Sequence, residues 1–257
     1  MSASDIRVAL VTGAAQGLGL AIALRLADDG LDIAVNDLGS SIEALHRVVS
    51  DIKAKGRRAI AVPADVTSED DVKNMIDRVA KELGTLDVMV ANAGIIILKS
   101  LLDTSVEEWE RLMAVNVRGV MLSYKYAARQ MIKQGRGGRI IGACSTAGKR
   151  GSENLSAYCT SKFAVRGLTQ SLALELRDHN ITVNAYAPGV MMTSMAQLPD
   201  DDINGGPGTT FLKTVGLPTT WEIGSPDVVA SLVSYLTKPE SYFITGQAVN
   251  LNHRFFD

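Results

Sequence analysis

The chain has 257 residues, of which 46% are hydrophobic, and this is enough for one α/β domain with a sizeable core. Its net charge of −2, from 26 basic and 28 acidic residues, excludes the strongly basic surface that nucleic-acid binding requires. No apolar run reaches the ~18 residues of a membrane-spanning helix, so we expect no insertion into a membrane.

Apolar runs of strand length alternate with longer stretches of helical pattern. This alternation predicts an α/β fold, in which a parallel sheet of about seven strands carries helices on both faces. We expect a single doubly wound, Rossmann-like domain over residues 1–257. The predicted strands are Val8–Thr12, Asp32–Asn36, Ala59–Pro63, Val88–Ala91, Arg139–Ala143, Thr182–Ala187 and Ala248–Leu251. The predicted helices are Leu18–Asp29, Ser41–Lys55, Glu69–Leu83, Val106–Gln134, Ala157–His179 and Pro226–Thr237.

A glycine-rich turn, Thr12-Gly-Ala-Ala-Gln-Gly-Leu-Gly19, joins the first predicted strand to the first predicted helix. Glycines at such a turn let the backbone approach a pyrophosphate, and the helix N-terminus attracts its negative charge. Tight turns also use glycine for steric reasons alone, but the position between strand and helix favours a nucleotide site. The predicted cofactor contacts in this turn are Gly13, Gln16, Gly17, Leu18 and Gly19.

The second predicted strand ends at the carboxylate of Asp37. A carboxylate there accepts hydrogen bonds from the ribose hydroxyls of NAD and repels the additional phosphate of NADP. The following residue, Leu38, and Gln16 in the turn are uncharged, so no cation is present to bind that phosphate. The sequence therefore favours NAD over NADP as cofactor, although an aspartate in this position also caps turns.

Tyr158 and Lys162 are four residues apart in a predicted helix, which places them on one helix face. An ammonium beside a phenol, whose usual pKa is ~10, favours the phenolate and lowers that pKa. Such a tyrosine exchanges a proton with an alcohol or carbonyl oxygen, which Ser145 could hold by a hydrogen bond. The same spacing also occurs by chance on ordinary helices, so a functional interpretation of the pair depends on the motifs around it.

Several motifs occur together and in order along the chain. They are Thr12-to-Gly19, Asn92-Ala-Gly94, Asn116, Ser145, Tyr158-x-x-x-Lys162 and Pro188-Gly189. This ordered set resembles the short-chain dehydrogenase/reductase family over essentially the whole chain. The stretch from Ser156 to Pro188 is most similar to the diacetyl/acetoin reductase and butanediol dehydrogenase branch of that family.

The resemblance implies hydride transfer between a nicotinamide and a secondary alcohol or ketone, here a small vicinal ketone or diol. It implies that Tyr158 is the general acid and base, that Ser145 binds the reacting oxygen, and that Lys162 assists the tyrosine and binds ribose. In the family, the residue matching Asn116 positions a water molecule. Further cofactor contacts implied by the resemblance are Asp65, Val66, Asn92, Ala93, Gly94, Val115, Pro188, Gly189, Val190 and Thr193.

Residues 191–221 interrupt the regular pattern and are rich in turn-forming residues. A long irregular stretch in a compact domain is often a lid, and in the family this region closes over the substrate. We interpret its acidic run, Asp200 to Asp202, as a solvated surface cluster. The predicted substrate pocket is lined by residues 95–98, 147–155 and 191–198.

The remaining residues suggest no metal site and no export. We expect Cys144 and Cys159 to be small buried thiols, and His46 and His179 to be on the surface. The N-terminal residues lack a signal-peptide pattern, so we expect a cytoplasmic protein.

The C-terminal tail departs from the family, reading Leu251-Asn-His-Arg254 where relatives have Val-Asp-Gly-Gly. His253 lies in this tail and matches no metal spacing. Exposure of Phe255 and Phe256 would be costly, which favours a partner subunit over them. By family analogy we expect a homo-oligomer, a tetramer or a dimer.

Other functions are compatible with the same motifs. The nearest alternatives keep the chemistry but act on a polyol, a 3-oxoacyl thioester or a bulkier ketone. A different class is a non-catalytic NAD-binding redox sensor or scaffold. The complete set of Asn116, Ser145, Tyr158 and Lys162 argues against that class, because a non-catalytic relative could lose any member.

Overall fold

A computed structural model describes residues 6–252 of the protein. Seven strands form one parallel sheet in the order β3-β2-β1-β4-β5-β6-β7. They are β1 Val8–Thr12, β2 Asp32–Asn36, β3 Ala59–Ala61, β4 Val88–Ala91, β5 Gly138–Ala143, β6 Ile181–Pro188 and β7 Ala248–Leu251. The strand order reverses between β1 and β4, and ligands of α/β proteins bind at the carboxyl ends of strands beside such a reversal.

Helices cover both faces of the sheet. One face carries α1 Gly17–Asp28, α2 Ile42–Ala54 and α9 Pro226–Thr237. The opposite face carries α3 Glu69–Leu83, α5 Val120–Gln134 and α6 Ser156–Glu175. Because both faces are covered, β1 and β2 are buried along their whole length and read as nearly continuous apolar runs. The predicted single-domain, doubly wound Rossmann-like fold is confirmed.

The helix predicted over Val106–Gln134 is interrupted in the structure. It consists of α4 Val106–Met113, a π-helical turn Ala114–Gly119, and then α5. The prediction of one uninterrupted helix was therefore wrong. The turn places the side chain of Asn116 inside the protein, where the backbone of Ile95 binds it, and a pattern of apolar residues does not reveal such an insertion.

The helix starts predicted at Glu69, Val106 and Pro226 are confirmed, and the other three differ by one residue. Ser105 accepts a hydrogen bond from the backbone of Glu108, whose side chain accepts one from Ser105, so both halves of the capping box are present. Ser225 caps α9, and Pro226 occupies its first turn. Strand β3 is two residues shorter than predicted, ending before Pro63, which has no N–H to donate to a neighbouring strand.

Residues 191–221, predicted to form a lid and called the lid below, are more regular than the sequence indicates. They contain two short helices, α7 Asp201–Asn204 and α8 Thr209–Thr214. At the base of the lid, Met191 pairs with Gly224 in an isolated parallel bridge. The lid is therefore an ordered, compact segment that packs on the carboxyl ends of the strands.

The surface residues named in the sequence analysis lie away from the sheet. His46 and His179 are exposed, as predicted. Within residues 6–252, no helix is both long enough and apolar enough to cross a membrane. The expectations for His253, Phe255 and Phe256 lie outside the described residues.

Candidate active site

A groove of about 420 Å³ runs along the carboxyl edge of the sheet. The loops after β1, β2, β3, β4 and β6 form its walls, as expected at the reversal of strand order. Sixteen of the predicted cofactor residues line it: Gly13, Gln16, Gly17, Leu18, Asp37, Leu38, Asp65, Val66, Asn92, Ala93, Gly94, Val115, Tyr158, Lys162, Pro188 and Thr193. The tertiary structure thus brings together residues that are far apart in the sequence.

The glycine-rich turn has the geometry that a pyrophosphate requires. Gly13 and Gly17 have φ values of +63° and +57°, in the left-handed region that favours glycine. Gly19 does not line the groove; a Cβ atom there would lie 2.1 Å from the carbonyl oxygen of Gly13. No side chain caps the N-terminus of α1, so its first N–H groups remain available for an anion. The turn therefore fits a dinucleotide cofactor.

Asn92 holds the glycine-rich turn from beneath. Its Nδ2 donates to the carbonyl oxygens of Thr12 and Gly13, at 2.8 and 3.1 Å. The hydroxyl of Thr12 accepts the backbone N–H groups of Asn92 and Ala93, both at 3.0 Å. The asparagine side chain thus joins the ends of β1 and β4, and its backbone borders the groove.

Two carboxylates stand at the far end of the groove. The oxygens of Asp37 accept the backbone N–H groups of Leu38 and Ala15, at 2.9 and 3.2 Å, which fixes the carboxylate beside the glycine-rich turn. Asp65 accepts the N–H of Thr67 at 2.8 Å and borders the same groove. Among the described lining residues of the groove, Lys162 is the only lysine or arginine.

Tyr158 and Ser145 meet where the groove joins a second cavity, and both line that cavity. Ser145 follows β5 and is only 9% exposed; its hydroxyl accepts the N–H of Ala147 at 3.1 Å. Tyr158 lies in the first turn of α6. Burial raises the pKa of Tyr158 above its usual value, and a hydrogen bond with Ser145 partly offsets this rise. The phenol is therefore protonated at neutral pH.

Lys162 lies one helical turn after Tyr158 and is 3% exposed. Its Nζ donates to the carbonyl oxygen of Ala143 at 2.8 Å and lies 5.3 Å from the centre of the Tyr158 ring. Burial lowers the pKa of Lys162 to about 8. We expected Lys162 to lower the pKa of Tyr158, but in this structure burial of the phenol dominates and the ammonium points to the backbone.

Asn116 is fully buried. Its Oδ1 accepts the N–H of Ile95 at 2.8 Å, and its Nδ2 donates to the carbonyl oxygen of Ile95 at 2.8 Å and to Ser161 at 3.1 Å. A Cβ atom on Gly94 would lie 3.3 Å from Asn116 Oδ1 and 3.6 Å from Lys162 Nζ. Asn116 and Lys162 therefore border the same stretch of backbone.

The second cavity, of about 120 Å³, is the candidate substrate cavity. Its walls come from the loops after β4, β5 and β6 and from the lid. They include the predicted Ile96, Ala147, Ser152, Leu155, Met191, Met195 and Ala196. Gly189 and Val190, predicted as cofactor contacts, line this cavity rather than the groove. Ser145 and Tyr158 thus line a cavity whose walls are mostly apolar.

The structure adds site residues that the sequence analysis missed. Phe211, Val215, Leu217 and Trp221 line the substrate cavity from the lid. Of these residues Phe211 lies in α8, a helix of which the turn-forming residues of the lid give no sign. Tyr186, in the middle of β6, borders the groove; its apolar strand context suggested only a core residue.

The acidic run in the lid was only partly interpreted correctly. Asp200 and Asp202 are exposed, but Asp201 is 7% exposed and accepts backbone hydrogen bonds. The expectation of a solvated carboxylate was wrong for Asp201. The two cysteines are buried free thiols, as predicted, and burial raises the pKa of both. Among the described residues, no cluster of three potential ligands could hold a metal ion.

The similar proteins align with nearly the whole chain. A short-chain dehydrogenase/reductase of Armillaria gallica is 48% identical over 251 residues, which are 98% of this chain and 96% of the relative. The L-2,3-butanediol dehydrogenase of Corynebacterium glutamicum is 42% identical over 247 residues, 95% of this chain and 96% of that enzyme.

Solved structures show the same fold. The acetoin dehydrogenase YohF of Salmonella typhimurium superposes with a TM-score of 0.84 at 33% identity, covering 97% of this chain and 96% of that one. A short chain dehydrogenase of Burkholderia cenocepacia, solved in complex with NADP, superposes with a TM-score of 0.85 at 37% identity, covering 98% of both chains. The family of short chain dehydrogenases matches residues 7–204. With its sheet, its glycine-rich turn and these relatives, the chain belongs to the short-chain dehydrogenase/reductase family.

Proposed function

We propose that this protein is an NAD(H)-dependent oxidoreductase that interconverts a secondary alcohol and a ketone. The proposed substrates are small vicinal ketones and diols of the diacetyl, acetoin and 2,3-butanediol type. The observation that carries the proposal is that Ser145 and Tyr158 both line a small cavity opening onto the cofactor groove. The butanediol dehydrogenase and acetoin dehydrogenase among the similar proteins support the substrate class.

The proposed roles follow from the positions of the side chains. When bound, a nicotinamide supplies or accepts the hydride. Ser145 holds the substrate oxygen by a hydrogen bond, and Tyr158, protonated because it is buried, donates the proton during ketone reduction. During alcohol oxidation the reverse transfer occurs, and the phenolate form of Tyr158 accepts that proton. The mostly apolar walls of the cavity exclude water from the substrate oxygen that gains or loses this proton.

Lys162 and Asn116 support this proton transfer in the proposal. A cationic Lys162 lies close enough to Tyr158 to stabilise the phenolate formed during reduction, and its ammonium has donors left for ribose hydroxyls. Asn116 fixes the backbone of Ile95 beside Lys162. In the proposal Asn116 holds the backbone beside Lys162 in place. In the family, the residue that matches Asn116 positions a water molecule.

The proposed preference for NAD over NADP depends on Asp37. Its carboxylate is held beside the glycine-rich turn by two backbone N–H groups, and the neighbouring Leu38 offers no charge to a phosphate. A carboxylate so placed accepts ribose hydroxyls and repels an added phosphate. The NADP complex of the Burkholderia relative makes NADPH the necessary comparison in any assay.

A bulkier apolar ketone is the second candidate substrate. It is favoured by the lid, which contributes Phe211, Val215, Leu217 and Trp221 to the cavity wall. These side chains bind apolar surface rather than a second oxygen. The volume of about 120 Å³ favours the smaller substrates over this candidate.

The test is oxidation of NADH, and separately of NADPH, with diacetyl, acetoin, a 3-oxoacyl thioester, a sugar ketone and an aryl ketone. We expect fastest turnover of diacetyl or acetoin with NADH. Tyr158→Phe should abolish turnover and retain NADH binding, whereas Tyr235→Phe, at an exposed tyrosine, should change neither. If Tyr158→Phe retains activity, the proposed role of Tyr158 is wrong. If no ketone reacts with either cofactor, the proposed reaction is wrong and a non-catalytic NAD-binding role is favoured.

We further propose that the protein forms a homo-oligomer. The outer face of α4, the π-helical turn and α6 carries an open groove whose apolar lining includes Trp109, Met113, Val117 and Leu168. An apolar surface of this kind favours burial by a second subunit. Light scattering after size-exclusion chromatography should give a dimer or tetramer, and Trp109→Glu should shift it to a monomer. A monomeric wild-type protein would contradict this proposal.

A further inference from the structure

The base of the lid is closed by backbone hydrogen bonds. The N–H of Met192 donates to the carbonyl oxygen of Gly224 at 2.8 Å, and the N–H of Gly224 donates to Val190 at 3.0 Å. These two bonds hold the ends of the lid together, as the ends of a shorter Ω-loop are held, and the side chains between them pack on one another. The conformation of the lid therefore depends on contacts inside it as well as on the rest of the protein.

Asp201 is the main polar contact inside the lid. Its Oδ2 accepts the N–H groups of Gly208 and Leu198, at 2.8 and 3.0 Å, and its Oδ1 accepts the N–H of Thr210 at 3.0 Å. These backbone hydrogen bonds, that from Gly208 first, lower the pKa of Asp201 to about 2. The carboxylate is therefore ionised at neutral pH and joins three points of the lid backbone.

Helix α8 needs this carboxylate because it is short. It has six residues, and α7 has four, whereas isolated helices need at least ~12 residues to be stable in water. Gly208 precedes the first residue of α8, and its own side chain cannot cap the helix. Asp201 supplies the missing cap from α7, with a negative charge where the helix dipole favours one. Formation of α8 in turn directs Phe211 into the cavity.

Asn154 attaches the lid to the opposite wall of the cavity. It lies in the loop between β5 and α6, and its Nδ2 donates to the carbonyl oxygen of Thr214, at the end of α8, at 2.9 Å. Its own carbonyl oxygen accepts the N–H of Lys99, in the loop after β4, at 2.8 Å. Asn154 has a φ of +55°, a conformation that asparagine tolerates better than most residues. One residue thus connects three walls of the cavity.

We propose that Asp201 and Asn154 are positioning residues of the substrate cavity. Asp201 keeps the lid folded before substrate binds, and Asn154 holds the folded lid against the β5–α6 loop. Neither residue touches the reacting atoms. The substrate therefore meets a preformed apolar wall and does not have to order the lid, a cost that would weaken its binding. The inference rests on the proposed function for its kinetic consequence only.

The first test is amide hydrogen exchange of the full-length protein, which needs no substrate. Asp201→Asn keeps the shape of the side chain but replaces one acceptor oxygen with a donor group. We expect peptides within residues 198–215 to exchange at least about tenfold faster, since a buried N–H group left without its acceptor destabilises the folded lid. The exchange of β1, β4 and β5 should not change. Asp202→Asn, which removes the same charge from an exposed neighbour, should exchange like the wild type.

The second test separates the two positioning roles. Asn154→Gly retains the left-handed backbone and removes the donor to Thr214, so exchange within residues 198–210 should stay at the wild-type rate. In assays with the ketone that the wild type reduces best, both Asp201→Asn and Asn154→Gly should raise KM about tenfold. In both variants kcat should stay within about twofold of the wild type and NADH affinity should be unchanged, because neither residue contacts Tyr158 or the groove.

Three results would overturn the inference. One is unchanged exchange of the lid in Asp201→Asn; another is faster exchange spread evenly over the whole protein, which would make Asp201 a general stability residue. The third is a fall in kcat in either variant without a change in KM. If the wild type reduces no ketone, the proposed function fails, and the exchange experiment alone decides whether Asp201 orders the lid.

Discussion

The hydroxyl of Tyr186 donates a hydrogen bond of 2.7 Å to Oδ1 of Asn92. Tyr186 is fully buried in β6, and the Nδ2 of the same asparagine donates to Thr12 and Gly13 in the glycine-rich turn. The tyrosine thus fixes which way the asparagine amide faces. Through this chain of contacts, β6 stabilises a turn that lies on the opposite side of β4.

Tyr186→Phe should weaken cofactor binding and leave the fold intact. The substitution removes only the hydroxyl and leaves Oδ1 of the half-buried Asn92 without its donor, which costs about 1–3 kcal/mol. We expect the Kd for NADH, measured by fluorescence titration, to rise about tenfold. Tyr235→Phe, at an exposed tyrosine, is the matched control and should bind NADH normally. Wild-type affinity in Tyr186→Phe would show that the turn keeps its shape without this contact.

Lys162→Met should stabilise the protein while abolishing its activity. Burial lowers the pKa of Lys162 from 10.5 to about 8, so keeping the side chain charged at neutral pH costs about 3 kcal/mol at most. Methionine has a similar length and no charge, although it leaves the carbonyl oxygen of Ala143 without a partner. We therefore expect a net gain of about 1–2 kcal/mol, or about 2–8 °C in Tm for a chain of this size.

The stability gained by Lys162→Met should also depend on pH in a defined direction. The wild-type folded state releases the Lys162 proton near pH 8, while the unfolded chain keeps it up to about 10.5. Between these values the unfolded state binds more protons, so the contribution of Lys162 to the free energy of unfolding rises with pH. The advantage of the variant should therefore be greatest below pH 8 and shrink towards pH 10.5. A constant difference in urea melts over this range would contradict the burial argument.

Asp37→Ser combined with Leu38→Arg should reverse the cofactor preference. Serine removes the negative charge and retains one acceptor oxygen near the backbone N–H groups of Ala15 and Leu38. The arginine supplies a cation for the added phosphate. We expect the ratio of kcat/KM for NADH over NADPH to fall at least about a hundredfold. Asp65→Ser is the control, because its carboxylate lies at the same end of the groove and accepts the N–H of Thr67. Wild-type preference for NADPH would remove the basis of this prediction.

Phe211→Ala should enlarge the range of ketones that the protein accepts. Phe211 is 8% exposed and packs with Leu155 and Val215 in the cluster that walls the substrate cavity. Its truncation opens space for an aryl ketone and removes apolar contact from a small ketone. We expect kcat/KM for the aryl ketone to rise, and KM for the small ketone to rise about tenfold. Phe243→Ala, at a residue 88% exposed, should leave both unchanged.

The sequence predicted the fold and most of the cofactor groove because both depend on local patterns. The alternation of β1, α1 and β2 is visible as apolar runs, and strand ends on one edge of a parallel sheet meet in space. Lys162 illustrates the limit of such reasoning. Its spacing from Tyr158 placed both on one helix face, but burial, which spacing does not report, decides in which direction the pKa of each side chain shifts.

In the lid, too, the sequence predicted the kind of segment but not the contacts of individual residues. Its turn-forming residues predicted an irregular segment, and three consecutive aspartates predicted a solvated cluster. Only the folded lid distinguishes Asp201, which accepts three backbone N–H groups, from its exposed neighbours. Likewise, the helical pattern of the sequence continues through Asn116 and does not reveal the π-helical turn, in which this residue is buried.

The sequence by itself therefore determined the α/β class, the order of the strands and of the long helices around them, and most of the residues that line the groove. These follow from residue types and spacings, which act over a few neighbouring positions. The tertiary structure alone decided the contact of Tyr186 with Asn92, the burial of Lys162, and the inward side of Phe211. Each of these joins segments far apart in the chain, and its energy depends on the distance, orientation and solvent exclusion that packing creates.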